Sequence, residues 1–177
     1  MITFRNVVGY FQDIANAHYM IKSFHSGFMD EVDINKLGAV DYSILYIEPG
    51  QATINTGVMN YTFTVYILDM INEEVGESTP PDATQLVGVN QRLGRLNTLS
   101  ESLQILNDVI IEFKQNLYKS SGTQVSYVNE QLVLDLPITC EPFTARFNNL
   151  LTGWSATLSL QVDNPNSLCL VPIEANS

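Results

Sequence analysis

The chain has 177 residues, 45% of them apolar and only 15% charged, and its 19 acidic and 8 basic side chains leave a net charge of −11. That apolar content excludes intrinsic disorder, which requires low hydrophobicity with high net charge. The acidic balance opposes binding to a phosphate backbone or to an anionic membrane surface. What remains is a single globular domain over residues 1–177, long enough to bury a core without disulfide staples.

The first element reads as a helix. Phe4, Val7, Val8, Phe11, Ile14, Ala15, His18 and Ile21 recur at three- and four-residue steps, and Phe24 and Phe28 extend that face towards a stop at Gly27. Asp30, Glu31 and Asp33 follow as an acidic connector. Tyr42–Glu48 reads as a strand ending at the Pro49-Gly50 turn signal, and Asn55-Thr56-Gly57 is a second turn. Asn60–Asp69 alternates Tyr61, Phe63, Val65 and Ile67 with Thr62, Thr64, Tyr66 and Leu68. Both faces carry bulk, the pattern of a central strand.

Ile71–Gly94 reads as a long loop, holding Glu73, Glu74, Glu77, Pro80, Pro81 and Asp82. Such a loop is either a passive connector or an arm that orders against a neighbouring subunit. A long helix comes next. Leu96, Leu99, Leu103, Leu106, Ile110, Phe113 and Leu117 form its apolar stripe, Thr98-Leu-Ser-Glu101 fits a capping box, and Gly122 is a stop. The C-terminal third is β. Thr123–Val128 and Gln131–Leu136 flank Asn129-Glu130 as a hairpin, and Phe143–Phe147 is a short strand. In Gly153–Val162, Trp154, Ala156, Leu158, Leu160 and Val162 face one way and Ser155, Thr157, Ser159 and Gln161 the other. Leu168–Ile173 is a last strand.

Strands gathered in runs point to an α+β fold, a mainly antiparallel sheet packed against an N-terminal helix and a long central helix. Trp154, Phe63, Val65, Leu103, Leu106, Ile110 and Phe113 are the expected core anchors.

Chemistry-bearing patterns are scarce. His18 and His25 share one helical face if the first helix is continuous, but no HExxH spacing accompanies them. No GxSxG, GxxxxGK[ST] or GxGxxG occurs. Arg92 and Arg95 are the only close basic pair, too few to hold a nucleic acid. Glu73 and Glu74 are paired carboxylates on the loop, where acid–base geometry is hard to hold. Asp69 ends the central strand, a position that suits either catalysis or a strand cap. Cys140 and Cys169 are 29 residues apart, without a second pair, and read as buried free thiols. No metal or cofactor site is expected. Neither a signal peptide nor a membrane span is expected, since no continuous apolar run of sufficient length occurs.

The Tyr61-Thr-Phe-Thr-Val-Tyr-Ile-Leu-Asp69 strand, the Gly153-Trp154 pair and the Cys169-Leu-Val-Pro172 ending, in this order of elements, resemble small virion proteins of tailed bacteriophages such as the crAss-like phages. The arrangement is similar to that of the tail-terminator and head–tail connector group. The resemblance implies a non-enzymatic structural protein with no catalytic residues. It implies a homo-oligomeric ring in the virion neck or tail that joins the portal side to the tail and lines the channel through which DNA leaves. The expected neighbours are portal, neck and tail proteins, and DNA passes without specific binding. Glu73, Glu74, Glu77 and Asp82 are then candidates for a subunit interface or a channel wall. A charge-poor surface suits a subunit covered by its neighbours. Another tail-tube or baseplate subunit, and a small ligand-binding or enzymatic domain, are the alternatives.

Overall fold

The computed structural model describes residues 3–29, 42–70, 89–119, 132–145 and 151–163, with side chains for 3–29, 42–70, 96–115, 133–143 and 151–163. The fold is α+β. Among the described residues two helices, α1 (Phe4–Ala17) and α2 (Val89–Lys119), accompany six strands: β1 (Ser23–Ser26), β2 (Ile44–Asn55), β3 (Val58–Met70), β4 (Leu132–Leu134), β5 (Cys140–Ala145) and β6 (Leu151–Asp163). They form one mixed sheet in the order β1-β2-β3-β6-β4, with β5 also on β6. Among these strands only the β1–β2 pairing is parallel.

Helix α1 starts at a capping box. The Asn6 amide donates to the Thr3 hydroxyl, and the Thr3 amide donates to Asn6 Oδ1 at 3.0 Å. It ends earlier than its apolar period suggests: His18 takes an extended backbone, with its N–H donating to the Ile14 carbonyl at 3.0 Å. Phe24 lies on β1, opposite Leu45. The apolar residues of this stretch suit a strand face as well as a helix face, and pairing with β2 selects the strand.

β2 continues through Pro49-Gly50 instead of turning there. Between Pro49, opposite Phe63, and Ala52, opposite Tyr61, β2 holds two residues where β3 holds one, a bulge. At Pro49 the strand has already lost its β1 neighbour, so the missing proline N–H leaves no rung unmade. The reversal comes at Thr56-Gly57, where Gly57 takes φ +79°, a value that costs glycine little.

β3 is the central strand, paired with β6 along Val58–Met70 and with β2 from Val58 to Leu68. Phe63, Val65 and Ile67 on one face are fully buried. Both helices supply side chains to that face, Val7, Phe11 and Ile14 from α1 and Ile105, Leu106, Val109 and Phe113 from α2. β6 contributes Ala156, Leu158, Leu160 and Val162, as its alternation dictates. Three rings meet at the centre: Phe11 stacks on Phe113 with centroids 4.2 Å apart, and Phe63 meets each edge-on at 5.5 and 6.1 Å. A smaller cluster of Met29, Ile44, Tyr46, Tyr66 and Leu68 covers part of the opposite face.

Helix α2 begins at Val89, so Thr98 lies inside it and 98–101 is not a cap. Residues 89–94 of the expected loop are therefore helical. The buried stripe is also rotated from the expected one. Ser102, Ile105, Leu106, Val109 and Phe113 face the sheet, while Leu103, expected as a core anchor, is 36% exposed and Leu96 more so. Ser102 is tolerated in the core because its hydroxyl donates to the Thr98 carbonyl at 2.6 Å, four residues back. Phe63, Val65, Leu106 and Phe113 are fully buried, and Ile110 and Trp154 pack against the core while half-buried. Leu103→Gln should therefore shift the monomer's stability by at most about 1 kcal/mol, roughly 2–4 °C in Tm, checked by thermal unfolding.

The expected hairpin strand at 123–128, the acidic connector at 30–33, Leu117, Gly122 and the strand at 168–173 lie outside the described side chains or residues.

Candidate functional site

The first concentration of polar groups lies where α2 meets the ends of β3 and β6. Trp154 and Ile67 are cross-strand partners, and Thr152 stands opposite Asp69. The Trp154 indole N–H donates to the Leu99 carbonyl of α2 at 2.8 Å, so this residue ties helix to sheet as well as filling space. The fully buried Thr152 hydroxyl donates to the Phe143 carbonyl at 3.0 Å. Asp69 Oδ1 accepts from the Met70 amide at 2.7 Å. Burial, and then the nearby Glu101 carboxylate, push the Asp69 carboxyl above its ordinary value, against the opposing effect of the Met70 hydrogen bond. Asp69 is thus a strand-end cap held in an unfavourable electrostatic position.

This has a pH consequence. A carboxyl whose folded pKa lies above its unfolded value keeps its proton longer in the folded state. Stability then falls as pH rises from the ordinary carboxyl range through the folded value. Asp69→Asn keeps the acceptor oxygen and removes the charge. It should be more stable than the native chain at pH 7, with the difference vanishing at pH 3; denaturant unfolding across that range measures it.

The opposite face of the sheet carries a second polar group. Glu48 accepts from the Tyr66 hydroxyl at 2.8 Å and from the Met29 amide at 3.1 Å, and the Tyr46 hydroxyl donates to the Phe28 carbonyl at 3.1 Å. These bonds fasten the 27–29 segment to the sheet, and both Glu48 oxygens are engaged in doing so. The histidines are separated: His18 closes α1, with Nδ1 accepting from the Met20 amide and Nε2 3.7 Å from Asp108 of α2, while His25 lies on β1. No cluster of three or more His, Cys, Asp or Glu that could hold a metal occurs among the described residues. Among them, too, no helix is long and apolar enough to cross a membrane.

A groove of about 610 Å³ runs along the outer side of α2. Its helix wall is Ser100, Leu103, Gln104, Asn107, Ile110, Ile111 and Lys114; Leu136, Ile138 and Cys140 form the other wall. The second wall arises from a defect in the sheet edge. β4 and β5 pair with successive parts of β6, and between Leu134, opposite Leu160, and Cys140, opposite Ala156, five residues stand against three. The surplus chain loops away from β6, carrying Leu136 and Ile138 out beside α2. Leu103 and Ile111 of the helix are exposed, as is Leu136 at 58%. Cys140 is half-buried and reduced, and burial pushes its thiol up, which disfavours the reactive thiolate. The groove therefore offers apolar contact and one positive charge, with no group placed for bond-making.

No family model matches the chain, and no curated protein matches it. The groove thus has to be read from its own chemistry. Of the residues singled out in the sequence, the structure brings Leu103 and Ile110 to this groove and Phe63, Val65, Leu106 and Phe113 to the core beneath it. Glu73, Glu74, Glu77, Asp82 and Cys169 lie outside the described residues. The groove itself was not legible from the sequence, because its two walls are joined only by the pairing of β4 and β5 with β6. The one local signal was the surplus of apolar residues on α2, more than a single stripe can bury.

Proposed function

We propose that the chain is a structural subunit of a tailed-phage neck or tail, a ring protein of the tail-terminator or head–tail connector kind that joins the portal side to the tail around the DNA exit channel. The observation that carries this reading is the exposed apolar groove beside α2, a surface that solvent disfavours and a neighbouring subunit would cover. The resemblance of the Tyr61–Asp69 strand and the Gly153-Trp154 pair supplies the family. The net charge of −11 is compatible with a channel that DNA passes without sticking.

The test is the mass of the purified protein. Size-exclusion chromatography with light scattering should give a discrete closed oligomer, with rings visible by negative-stain electron microscopy. A monomer at all concentrations would overturn the self-assembling ring. A monomer that binds a small apolar molecule in the groove would favour a ligand-binding domain instead, for which the groove volume is of ordinary size.

A further inference from the structure

We infer that the groove beside α2 receives Leu168–Glu174 from a second copy of this chain; the inference rests on the ring reading above and names the segment passed between neighbours. An occupant has three features of the groove to match. Its helix wall runs from Ser100 to Lys114, about 20 Å at 1.5 Å per residue. Its single charge, the Lys114 ammonium, stands at one end of that wall. Its thiol, Cys140, stands at the other: Cys140 pairs with Ala156, two residues from Trp154, whose indole N–H reaches the Leu99 carbonyl beside Ser100.

The sequence singles out the occupant. Among the stretches outside the described residues, Leu168-Cys-Leu-Val-Pro-Ile173 is the one with six consecutive residues uninterrupted by a charged, amide or hydroxyl side chain; the next longest, Leu37–Val40, has four. Six residues of extended chain span about 20 Å, the length of the groove. Glu174 follows directly and supplies the carboxylate that the groove lining lacks. With Glu174 at Lys114, Cys169 falls about 17 Å back along the segment, at the end where Cys140 stands. Length, charge and thiol agree on one register and one direction.

That direction requires a second copy. β6 carries the chain from Trp154, at the Ser100 end of the groove, nine residues away to Asp163, about 30 Å. From Asp163 to Leu168 the chain spans at most about 18 Å, so its own segment cannot start at the Ser100 end. Laid the other way, it would bring Glu174 towards Glu101, an exposed carboxylate, and away from Lys114. Segment and groove are different surfaces, so the contact can pass from copy to copy, as a ring requires.

The experiment oxidises the assembled native protein with copper phenanthroline, which takes two electrons and two protons from a pair of thiols in contact and leaves a disulfide. The expected product is a ladder of covalent multimers on a non-reducing gel, since each copy offers Cys140 to one neighbour and Cys169 to the other. Cys140→Ser and Cys169→Ser should each abolish the ladder, and an equimolar mixture of the two, assembled together, should stop at covalent dimers. Charge exchange checks the direction. Lys114→Glu and Glu174→Lys should each weaken assembly about two- to fivefold, read from mass against concentration, and the double variant should restore it. A native oligomer that gives no covalent multimers would overturn the inference and leave the ring reading standing. So would a disulfide formed within one chain, which assigns the groove to the chain's own segment, and so would a double variant no better than the single ones. A native chain monomeric at all concentrations would overturn both readings.

Discussion

Phe113→Ala should destabilise the protein by about 3–5 kcal/mol, the cost of emptying a large aromatic site in a packed core. Phe113 is fully buried and stands between the two other rings of the central cluster, stacked on Phe11 of α1 and edge-on to Phe63 of β3. Three separate elements therefore lose contact at once. Neighbouring Ile105, Leu106 and Val109 are held by the same helix and cannot collapse into the space without moving α2 off the sheet. For a chain of this size the loss corresponds to a fall in Tm of roughly 6–20 °C. A shift of a degree or two in thermal unfolding would show that α2 does not pack where the structure puts it.

Gly153→Ala should be comparably damaging, by about 2–5 kcal/mol, for the opposite reason: too little space. Gly153 sits on β6 opposite Leu68 of β3 and Phe143 of β5. A Cβ there would overlap the Ile67 carbonyl oxygen and come within 3.2 Å of the Phe143 ring. The ring could turn aside, but the Ile67 carbonyl is backbone of the central strand and moves only if the β3–β6 register moves with it. The backbone at Gly153 is also at φ +156°, which side chains rarely adopt. Gly9, inside α1, supplies the control. A Cβ there meets nothing within 4 Å, so Gly9→Ala should stabilise the helix by about 0.5–1 kcal/mol. Denaturant unfolding of the two variants side by side should give opposite signs.

The elements whose evidence is local were legible from the residues. Alternation along β6 placed Ala156, Leu158, Leu160 and Val162 on the buried face, because successive strand side chains point to opposite sides. The bulk on both faces of β3 marked it as central, and β2 and β6 do flank it. Thr56-Gly57 was a turn in sequence and is one in the structure. Where a residue's fate depended on a distant partner, the local pattern misled. Phe24 fitted the α1 period and pairs in β1 instead; Pro49-Gly50 had the composition of a turn and forms a bulge, since the β2–β3 ladder resumes beyond it.

By itself, then, the sequence determined the α+β class, the central strand, the inward face of β6, and the existence of a long second helix. Each follows from a periodicity of two or 3.6 residues that neighbouring side chains impose on the backbone. It also determined the shortage of charge that leaves Pro49–Leu68 neutral. Only the tertiary structure decided which side of α2 is core. The helix carries apolar residues around much more than one stripe, and the sheet takes Ile105, Leu106, Val109 and Phe113, with Ser102 satisfied by its own helix, because that orientation brings Phe113 onto Phe11 and Phe63. Leu103 and Ile111 are left outside as the consequence. The groove they line is likewise a tertiary product, for its facing wall exists only because the β4–β5 chain has more residues than β6 can pair. A helix can bury one face against a sheet, and the face it does not bury is set by the partner that claims the other.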